Sequence, residues 1–441
     1  MALIPAATIP VLTCNMVRSL AFAPLSTILV LNLTLLGFGP RPVALLTMAG
    51  TAGLIVGSFF CHAIINRYRH SNAYALFAGV MSVGAILYWM LPPALAWYMI
   101  AFGIGMASFG SVVVIESWLQ ALSTNVTRGR VMSLYMILGS IGSVGGNLLV
   151  DVFKPQTVTP FLFAVVLVTV SSVPMLMNRR RMPPAVAPKR MSPLGLLKVS
   201  PLAGVSAVVS GLMQNAMWGL MPVFALSRDN LIGGVGLFMA CFITGGVLAQ
   251  YPVGRLSDLT SRRWVLFATY AATGSFALVT IALGGLSVTL LLVLVALTSG
   301  ASATVYPQAA AYLNDYLDES QRIGASAGFL LLWSVGAILG PLGASEMMEL
   351  AGPAGLFWFV AAVAACGALY TLHRRSVRSA PPISESPLAP TPQMAPAGAA
   401  NIVEPVVEEA PPAAAGDGAE PPHGLAPPVT RGLPRHDETA P

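Results

Sequence analysis

The sequence predicts an all-α integral membrane protein with twelve transmembrane helices in two six-helix bundles, followed by a disordered C-terminal tail. The first observation is composition: 56% of the 441 residues are hydrophobic and 9% are charged, whereas soluble domains carry about 25% charged residues. The second is that apolar runs of helical length recur along the chain, each long enough to cross a hydrocarbon core of ~30 Å. The third is a basic stretch that divides these runs six and six. Together they exclude a large soluble globule.

The predicted spans lie between clusters of glycine, proline and charge. Because backbone hydrogen bonds must be satisfied internally in lipid, apolar segments of this length are predicted to be helices. In chain order, spans one to twelve are 11–36, 44–65, 73–91, 96–118, 131–151, 160–177, 200–225, 233–253, 264–283, 288–311, 323–343 and 355–373.

The distribution of lysine and arginine predicts the orientation. With the N-terminus inside, 17 of these residues fall on the cytoplasmic side and three, Arg41, Lys154 and Arg228, on the outer side. This asymmetry agrees with the positive-inside rule. We therefore expect a multi-pass protein of a bacterial-type plasma (inner) membrane with both termini in the cytoplasm.

Two landmarks indicate that the halves repeat one plan, as is common in transporters. Asn66 and Asp258 are 192 residues apart, and so are Arg130 and Arg322 at the starts of spans five and eleven. The tail holds 15 of the 35 prolines and no aromatic residue, a composition typical of disorder. The predicted regions are an N-terminal bundle (1–177), a cytoplasmic central loop (178–199), a C-terminal bundle (200–375) and the tail (376–441).

Sequence motifs of enzymes and pumps are missing from the chain. It has no HExxH, no Gly-x-Ser-x-Gly and no Walker A sequence, and its four cysteines stand singly. We expect no enzymatic activity, no cofactor and no metal. The expected partners are the lipid bilayer, a small-molecule substrate and, as a further expectation, H+; we expect a monomer and no nucleic acid.

The stretch GRLSDLTSRR, residues 254–263, resembles the loop signature of the major facilitator superfamily, G-x-L-[AS]-D-x-x-x-R-[RK]. The resemblance covers residues 11–375 and implies that superfamily's fold and a secondary transporter. In the corresponding first-half stretch, HAIINRYRHS, Asn66 replaces the acidic residue.

A narrower resemblance lies in ESWLQALSTNVTRGRVMSLYM, residues 116–136, which is similar to YcaD-like bacterial permeases. Gln120 departs from the asparagine usual in that subgroup. The resemblance carries no defined substrate.

The signature predicts a conformational latch between the halves. Asp258 is expected near the N-terminus of span five, where the helix dipole favours a carboxylate, and such a contact would favour the outward-facing state. We expect Gly254 to permit close helix approach or a tight turn, and the paired arginines to anchor the cytoplasmic face. The alternative is a topological anchor in which Asp258 merely balances arginines. The latch set is Gly254, Asp258, Arg262, Arg263, Arg128 and Arg130.

The resemblance implies that spans one, four, seven and ten line the central cavity, where polar residues are costly and functional. The cavity candidates are Arg18, Ser26, Glu116, Gln214, Asn215, Trp218, Tyr306 and Gln308. Glu116 is the candidate for proton coupling, and Arg18 is expected close enough to pair with it or share water. The alternatives are snorkelling for Arg18, a structural ion pair or a loop anchor for Glu116, and helix packing for the span-seven group.

These observations predict a secondary active transporter of a small organic solute that works by alternating access, with proton coupling expected and direction open. The alternative is a transporter-like solute sensor that signals through its tail.

Overall fold

The computed structural model describes residues 5–93, 95–124, 127–177, 191–228, 231 and 233–377. Residues 178–190 of the predicted central loop and 378–441 of the predicted tail lie outside the described residues, so the disordered tail stays a prediction. The described residues form twelve α-helices: α1 (Ile9–Leu35), α2 (Pro40–Met90), α3 (Leu95–Ala121), α4 (Arg128–Leu148), α5 (Thr159–Met177), α6 (Pro193–Val199), α7 (Pro201–Leu226), α8 (Gly234–Leu259), α9 (Arg262–Leu283), α10 (Val288–Asn314), α11 (Glu319–Ala351) and α12 (Gly355–Val377).

Spans two and three form one continuous run, and the break predicted at 66–72 is present in it as a kink. The run is interrupted at a single residue, Arg69, whose φ of 65° and ψ of 161° are not helical. A non-glycine residue with positive φ is uncommon because its Cβ crowds the backbone. The chain therefore passes from one span to the next without a loop of several residues.

The predicted number of spans agrees with the structure once this run is divided. Among the described residues, ten helices are long and apolar enough to cross a membrane, and α2 is one of them with 51 residues. That length exceeds twice the ~20 residues that one crossing needs. Helix α7 is not among the ten because Gln214 and Asn215 lower its hydropathy. With α2 counted twice and α7 added, all twelve spans are present.

Part of the predicted central loop is helical. Helix α6 begins after Ser192, whose side chain accepts a hydrogen bond from the Gly195 amide, and Pro193 occupies its first turn. A serine cap followed by proline is a strong helix start. The Met191 amide donates to the Gly324 carbonyl at 2.9 Å, which places this segment against α11.

The two halves repeat one packing plan. Helices α1 and α7 begin 192 residues apart, at Ile9 and Pro201, which is the offset of the sequence landmarks. Helix α1 packs on α4 and α5, and α7 packs in the same way on α11 and α12. The all-α fold with two six-helix bundles is confirmed.

Glycines permit the closest helix contacts in both halves. A Cβ at Gly142 would meet the Met16 carbonyl of α1, and one at Gly336 would meet the Val208 carbonyl of α7. Small residues let helix backbones approach closely in membranes. The glycine-rich stretches GSIGSVGG (139–146) and GAILGPLG (336–343) therefore lie at close helix contacts in the two halves.

Candidate functional site

A buried polar cluster joins α1, α3 and α4, and we call Asn15, Arg18, Glu116 and Tyr135 the Glu116 cluster. Glu116 is 1% exposed and accepts a hydrogen bond from the Tyr135 hydroxyl at 3.2 Å. The Asn15 amide donates to the Tyr135 carbonyl at 3.0 Å, and its oxygen accepts from Arg18 Nη2 at 3.3 Å. Three helices therefore converge on one carboxyl group.

Arg18 and Glu116 form a long-range electrostatic pair. Their charges interact, but among the described residues no salt bridge within 4.0 Å joins them. Arg18 Nε is buried and has no hydrogen-bond partner in the described part of the chain. A buried donor without a partner is costly, so Arg18 Nε is available to donate a hydrogen bond to water or to a solute group.

The span-seven group divides into two environments. Asn215 donates to Thr51 Oγ1 of α2 at 2.9 Å and also to the Ala337 carbonyl of α11, so it joins helices of both halves. Trp218 packs on Phe242 of α8 with ring centroids 5.7 Å apart. Gln214 is half-buried. The packing alternative therefore describes Asn215 and Trp218, and Gln214 remains available.

The span-ten candidates differ in the same way. Tyr306 packs on Phe329 and Trp333 of α11, with centroids 4.8 and 6.3 Å apart. Gln308 is 2% exposed, and its Oε1 has no hydrogen-bond partner among the described residues. On α1, Ser26 donates to the Ala23 carbonyl of its own helix. Gln308 is thus the clearest unsatisfied acceptor in this set.

The predicted latch contact is absent from this structure. Among the described residues, Asp258 pairs with Arg262 at 3.6 Å and not with Arg128 or Arg130. The Asp258 side chain is 50% exposed, and Arg130 is exposed as well. The expected proximity to span five is therefore not seen with the halves in this arrangement.

The two signature arginines, which were expected to anchor the cytoplasmic face, are buried against neighbouring helices. Arg262 forms an ion pair with Asp315 at 2.9 Å, with both side chains at most 5% exposed. Arg263 Nε donates to the Tyr312 hydroxyl at 2.7 Å, and its Nη2 donates to the Tyr316 hydroxyl at 3.4 Å. Both arginines fasten α9 to the end of α10, because a buried guanidinium is stable only with polar partners.

Gly254 makes no close contact in this structure. It lies inside α8, and a Cβ at its position would meet nothing within 4 Å. The expected close helix approach or tight turn is therefore not observed.

The halves are joined near the predicted outer side. Asp151, beyond the end of α4, accepts hydrogen bonds from the amides of Gly236 at 3.0 Å and Leu237 at 3.2 Å, in the first turn of α8. Burial raises the pKa of the Asp151 carboxyl, against the opposing effect of these hydrogen bonds. A carboxylate at a helix N-terminus satisfies free amides and the helix dipole.

A salt bridge adds to this closure. Arg41, at the start of α2, donates from Nε to Glu346 of α11 at 2.9 Å. The pair is about half exposed on both sides, so it is screened by solvent and modest in energy. We call Arg41, Glu346 and Asp151 the outer contacts.

Several of these partners escaped sequence reasoning. Tyr135, Asp315 and Thr51 carry no sequence signal beyond being polar residues on apolar helices. The sequence placed Asp151 and Glu346 at the outer ends of spans but gave no indication that each reaches the other half. Helix crossing positions decide these contacts, and a single sequence does not contain them.

The family model of the Major Facilitator Superfamily matches residues 203–408. Among curated proteins, the uncharacterized MFS-type transporter YcaD of Salmonella paratyphi B is 26% identical over 349 residues, covering 78% of this chain and 90% of the relative. YcaD of Salmonella arizonae is 24% identical over 358 residues, covering 80% and 92%.

Solved structures share the fold. The nucleoside transporter NupG, in a point-mutant form, superposes with a TM-score of 0.71 at 13% identity, covering 83% of this chain and 99% of that one. The POT family transporter PepTSo gives 0.68 at 14% identity, covering 84% and 98%. At these identities the similarity establishes the fold alone.

Proposed function

Since the chain belongs to the major facilitator superfamily, we propose that it moves a small organic solute by alternating access, with a proton as the coupled ion. It is a multi-pass membrane transporter and not an enzyme. The proposal places it in a bacterial inner membrane with both termini inside, as the loop charges favour.

The Glu116 cluster is the observation that carries the proposal. Glu116 lies close to the end of α3 and is 1% exposed; a carboxyl group buried in this way inside a membrane protein is expensive, and such groups mark proton or substrate paths. The Tyr135 hydroxyl donates a hydrogen bond to Glu116, a contact that suits a carboxylate, while a buried charge is costly. Loss or gain of one proton at Glu116 therefore changes the local charge balance at the junction of α1, α3 and α4.

We assign solute recognition to the buried groups that have an unused hydrogen-bond donor or acceptor. Gln308 Oε1 offers a buried acceptor, and Arg18 Nε offers a buried donor. These are on α10 and α1, one in each half, so a solute that bonded both would bridge the halves. Binding of this kind favours whichever arrangement brings the two groups together.

Alternation requires two exclusive sets of contacts. The outer contacts hold the halves together in this structure, while the signature residue Asp258 is half exposed. We assign the structure to the inward-facing state and the Asp258 latch to the outward-facing one. Opening the outer side would break the outer contacts and allow Asp258 to reach the N-terminus of α4.

A thermal-shift screen of the purified full chain against metabolites, at pH 5.5 and pH 7.5, tests the proposal first. A solute that stabilises the chain, and does so differently at the two pH values, supports proton-coupled transport. The solute is then added to liposomes that contain the chain and a pH-sensitive dye. Solute uptake without any dye response would refute proton coupling and leave uniport.

A further inference from the structure

A proline inside α11 frees a backbone carbonyl at the contact between α7 and α11. Pro341 lies within this helix, and proline has no amide hydrogen, so the carbonyl four residues earlier loses its usual intrahelical donor. That carbonyl belongs to Ala337, which is 0% exposed. A buried carbonyl without a donor is costly, so this position requires a donor from a neighbouring helix.

Asn215 of α7 supplies that donor. Its Nδ2 group donates a hydrogen bond to the Ala337 carbonyl. A glycine brings the two helices close enough for the short asparagine side chain to reach, since a Cβ at Gly211, one turn before Asn215, would meet the Ala337 amide nitrogen. Asn215 therefore replaces, from another helix, the hydrogen bond that Pro341 removes.

The same amide group also donates a hydrogen bond to the other half. Asn215 Nδ2 donates to Thr51 Oγ1 of α2 at 2.9 Å, and the Thr51 hydroxyl donates in turn to the Thr47 carbonyl of its own helix. On the same pair of helices, a Cβ at Gly219 of α7 would meet the Thr47 side chain. A primary amide has two donor hydrogens, and Asn215 uses one in each half.

Both hydrogen bonds bear on the outer contacts. Glu346, which pairs with Arg41, lies five residues beyond Pro341 on α11, so the direction of α11 after the proline decides where Glu346 lies. Thr51 lies ten residues along α2 from Arg41, which is about 15 Å along the helix axis at a rise of ~1.5 Å per residue. Thr51 is 8% exposed, so its contact with Asn215 is better shielded from water than the half-exposed salt bridge.

We propose that Asn215 is a positioning residue that stabilises the arrangement with the outer side closed. One amide hydrogen holds α2 of the first half through Thr51, and the other fixes the course of α11 at Pro341 through the Ala337 carbonyl. When the halves separate on the outer side, the Thr51 bond breaks because it crosses between them, and the Ala337 bond stays within its half. This assignment rests on the proposed alternating access and adds a residue that controls it.

Distances across the outer side test the bond between the halves. Spin labels are placed at Leu36 and Leu286, which are both exposed, in the full chain without its native cysteines. Thr51→Val keeps the shape of the side chain and removes the acceptor, so the ratio of closed to open populations should fall about fivefold, as for loss of one hydrogen bond. Thr280→Val is the matched control, because the buried Thr280 hydroxyl donates to the Phe276 carbonyl within one helix. It should change the ratio less than about twofold.

A double-mutant cycle tests the contact with the freed carbonyl. Asn215→Leu removes the donor for Ala337 and should raise the equilibrium constant for unfolding in detergent about tenfold. Pro341→Ala supplies an amide hydrogen for the same carbonyl within α11, so Asn215→Leu in this background should raise the constant less than about threefold. If Asn215→Leu does not fold on its own, folding of the double variant is the expected rescue, and failure of both would overturn the assignment.

The outcomes distinguish this assignment from the proposed function. Equal losses from Asn215→Leu in the two backgrounds would overturn the role at Ala337. A population ratio that Thr51→Val leaves unchanged, or that Thr280→Val changes as much, would overturn the role between the halves. Neither measurement needs a solute, so a chain that binds and moves no solute would refute the proposed transport without deciding these two results.

Discussion

The two halves share one packing plan but place their acidic residues at different positions of that plan. At positions 192 residues apart, the first half has Glu116 in its core and the second has Gln308, and both are buried. In the cytoplasmic signature the order is reversed, since the first half has Asn66 and the second has Asp258. A repeated fold therefore does not imply a repeated function.

This difference indicates that the two halves have different roles. In the first half, Glu116 is buried among α1, α3 and α4, where changing its protonation alters a poorly solvated cluster. In the second half, the signature carboxylate Asp258 lies at the predicted cytoplasmic end and is half exposed, and Asp315 at the end of α10 pairs with the signature Arg262. We infer that the first half senses the proton and that the second half carries the latch.

The largest expected effect comes from Glu116→Gln, which gives position 116 the residue type that the second half has at Gln308. Glu116→Gln removes the group that exchanges a proton but keeps a polar side chain of similar size. We expect solute uptake into liposomes to lose its dependence on an imposed pH gradient. The assay uses the solute found in the thermal-shift screen, with internal pH followed by a dye.

Glu349→Gln is the control for this change, because Glu349 is an exposed carboxylate at the outer end of α11. It should respond to the gradient as the unaltered chain does. Gradient-driven uptake that survives in Glu116→Gln would remove Glu116 from the coupling role.

The next effect concerns stability in the second half. Asp315→Asn leaves the buried Arg262 without its closest anionic partner, and breaking a buried ion pair costs about 3–5 kcal/mol. Asp258→Asn removes the other carboxylate near Arg262, but Asp258 is 50% exposed, so its loss should cost less than about 1 kcal/mol. Chemical unfolding in detergent measures the free energy of unfolding of both variants. Equal losses would show that the buried Arg262–Asp315 pair contributes no more than the exposed Asp258–Arg262 pair.

A smaller effect is expected from the partner of Glu116. Tyr135→Phe keeps the ring and removes the hydroxyl that donates to Glu116 at 3.2 Å. A hydrogen bond to a charged group contributes about 1.5–3 kcal/mol, so gradient-driven uptake should fall about tenfold. Tyr74→Phe is the control, since that hydroxyl is bonded to Ser171 in the same half. A similar fall in both variants would indicate general loss of packing.

The smallest effect concerns the outer contacts. Asp151→Ala removes the acceptor for two α8 amides, a loss of about 1 kcal/mol, which shifts the inward-facing population about fivefold. Asp151→Asn keeps an acceptor and should shift it less. Labels that report the distance across the outer side measure the populations, and indistinguishable results for the two variants would exclude a capping role.

The Asp151 carboxyl also predicts that closure of the outer side depends on pH. Burial raises its pKa in the closed arrangement, and the state with the higher pKa binds protons more tightly. In the Asp151→Asn background, which cannot titrate at this position, any pH effect from Asp151 should disappear. In the unaltered chain, the closed arrangement binds the Asp151 proton more tightly, so closure of the outer side should be favoured as pH falls toward this raised pKa.

Much of the fold followed from sequence, because hydropathy and loop charge act locally. Span positions and the repeat were both predictable in this way. The break at Arg69 falls inside the predicted interval 66–72, but its confinement to one non-helical residue was not predictable.

The candidate site was less predictable. Glu116 and Arg18 stand out as charges in apolar helices, so the sequence could select them. Their neighbour Tyr135 could not be selected, because its role depends on how α3 and α4 cross. The burial of Arg262 also escaped prediction, since a basic pair at a helix end is usually solvated.

The most direct test measures distances across both sides of the membrane as pH is varied. In a background without the native cysteines, one pair of spin labels would join Leu36 to Leu350 at the predicted outer side, and another would join Ala121 to Leu259 at the predicted cytoplasmic side. All four residues are exposed. We predict two populations whose inner and outer distances change in opposite directions with pH, and a single pH-independent distribution in Glu116→Gln. A distribution in the unaltered chain that does not respond to pH, or a Glu116→Gln variant that responds as the unaltered chain does, would contradict the account.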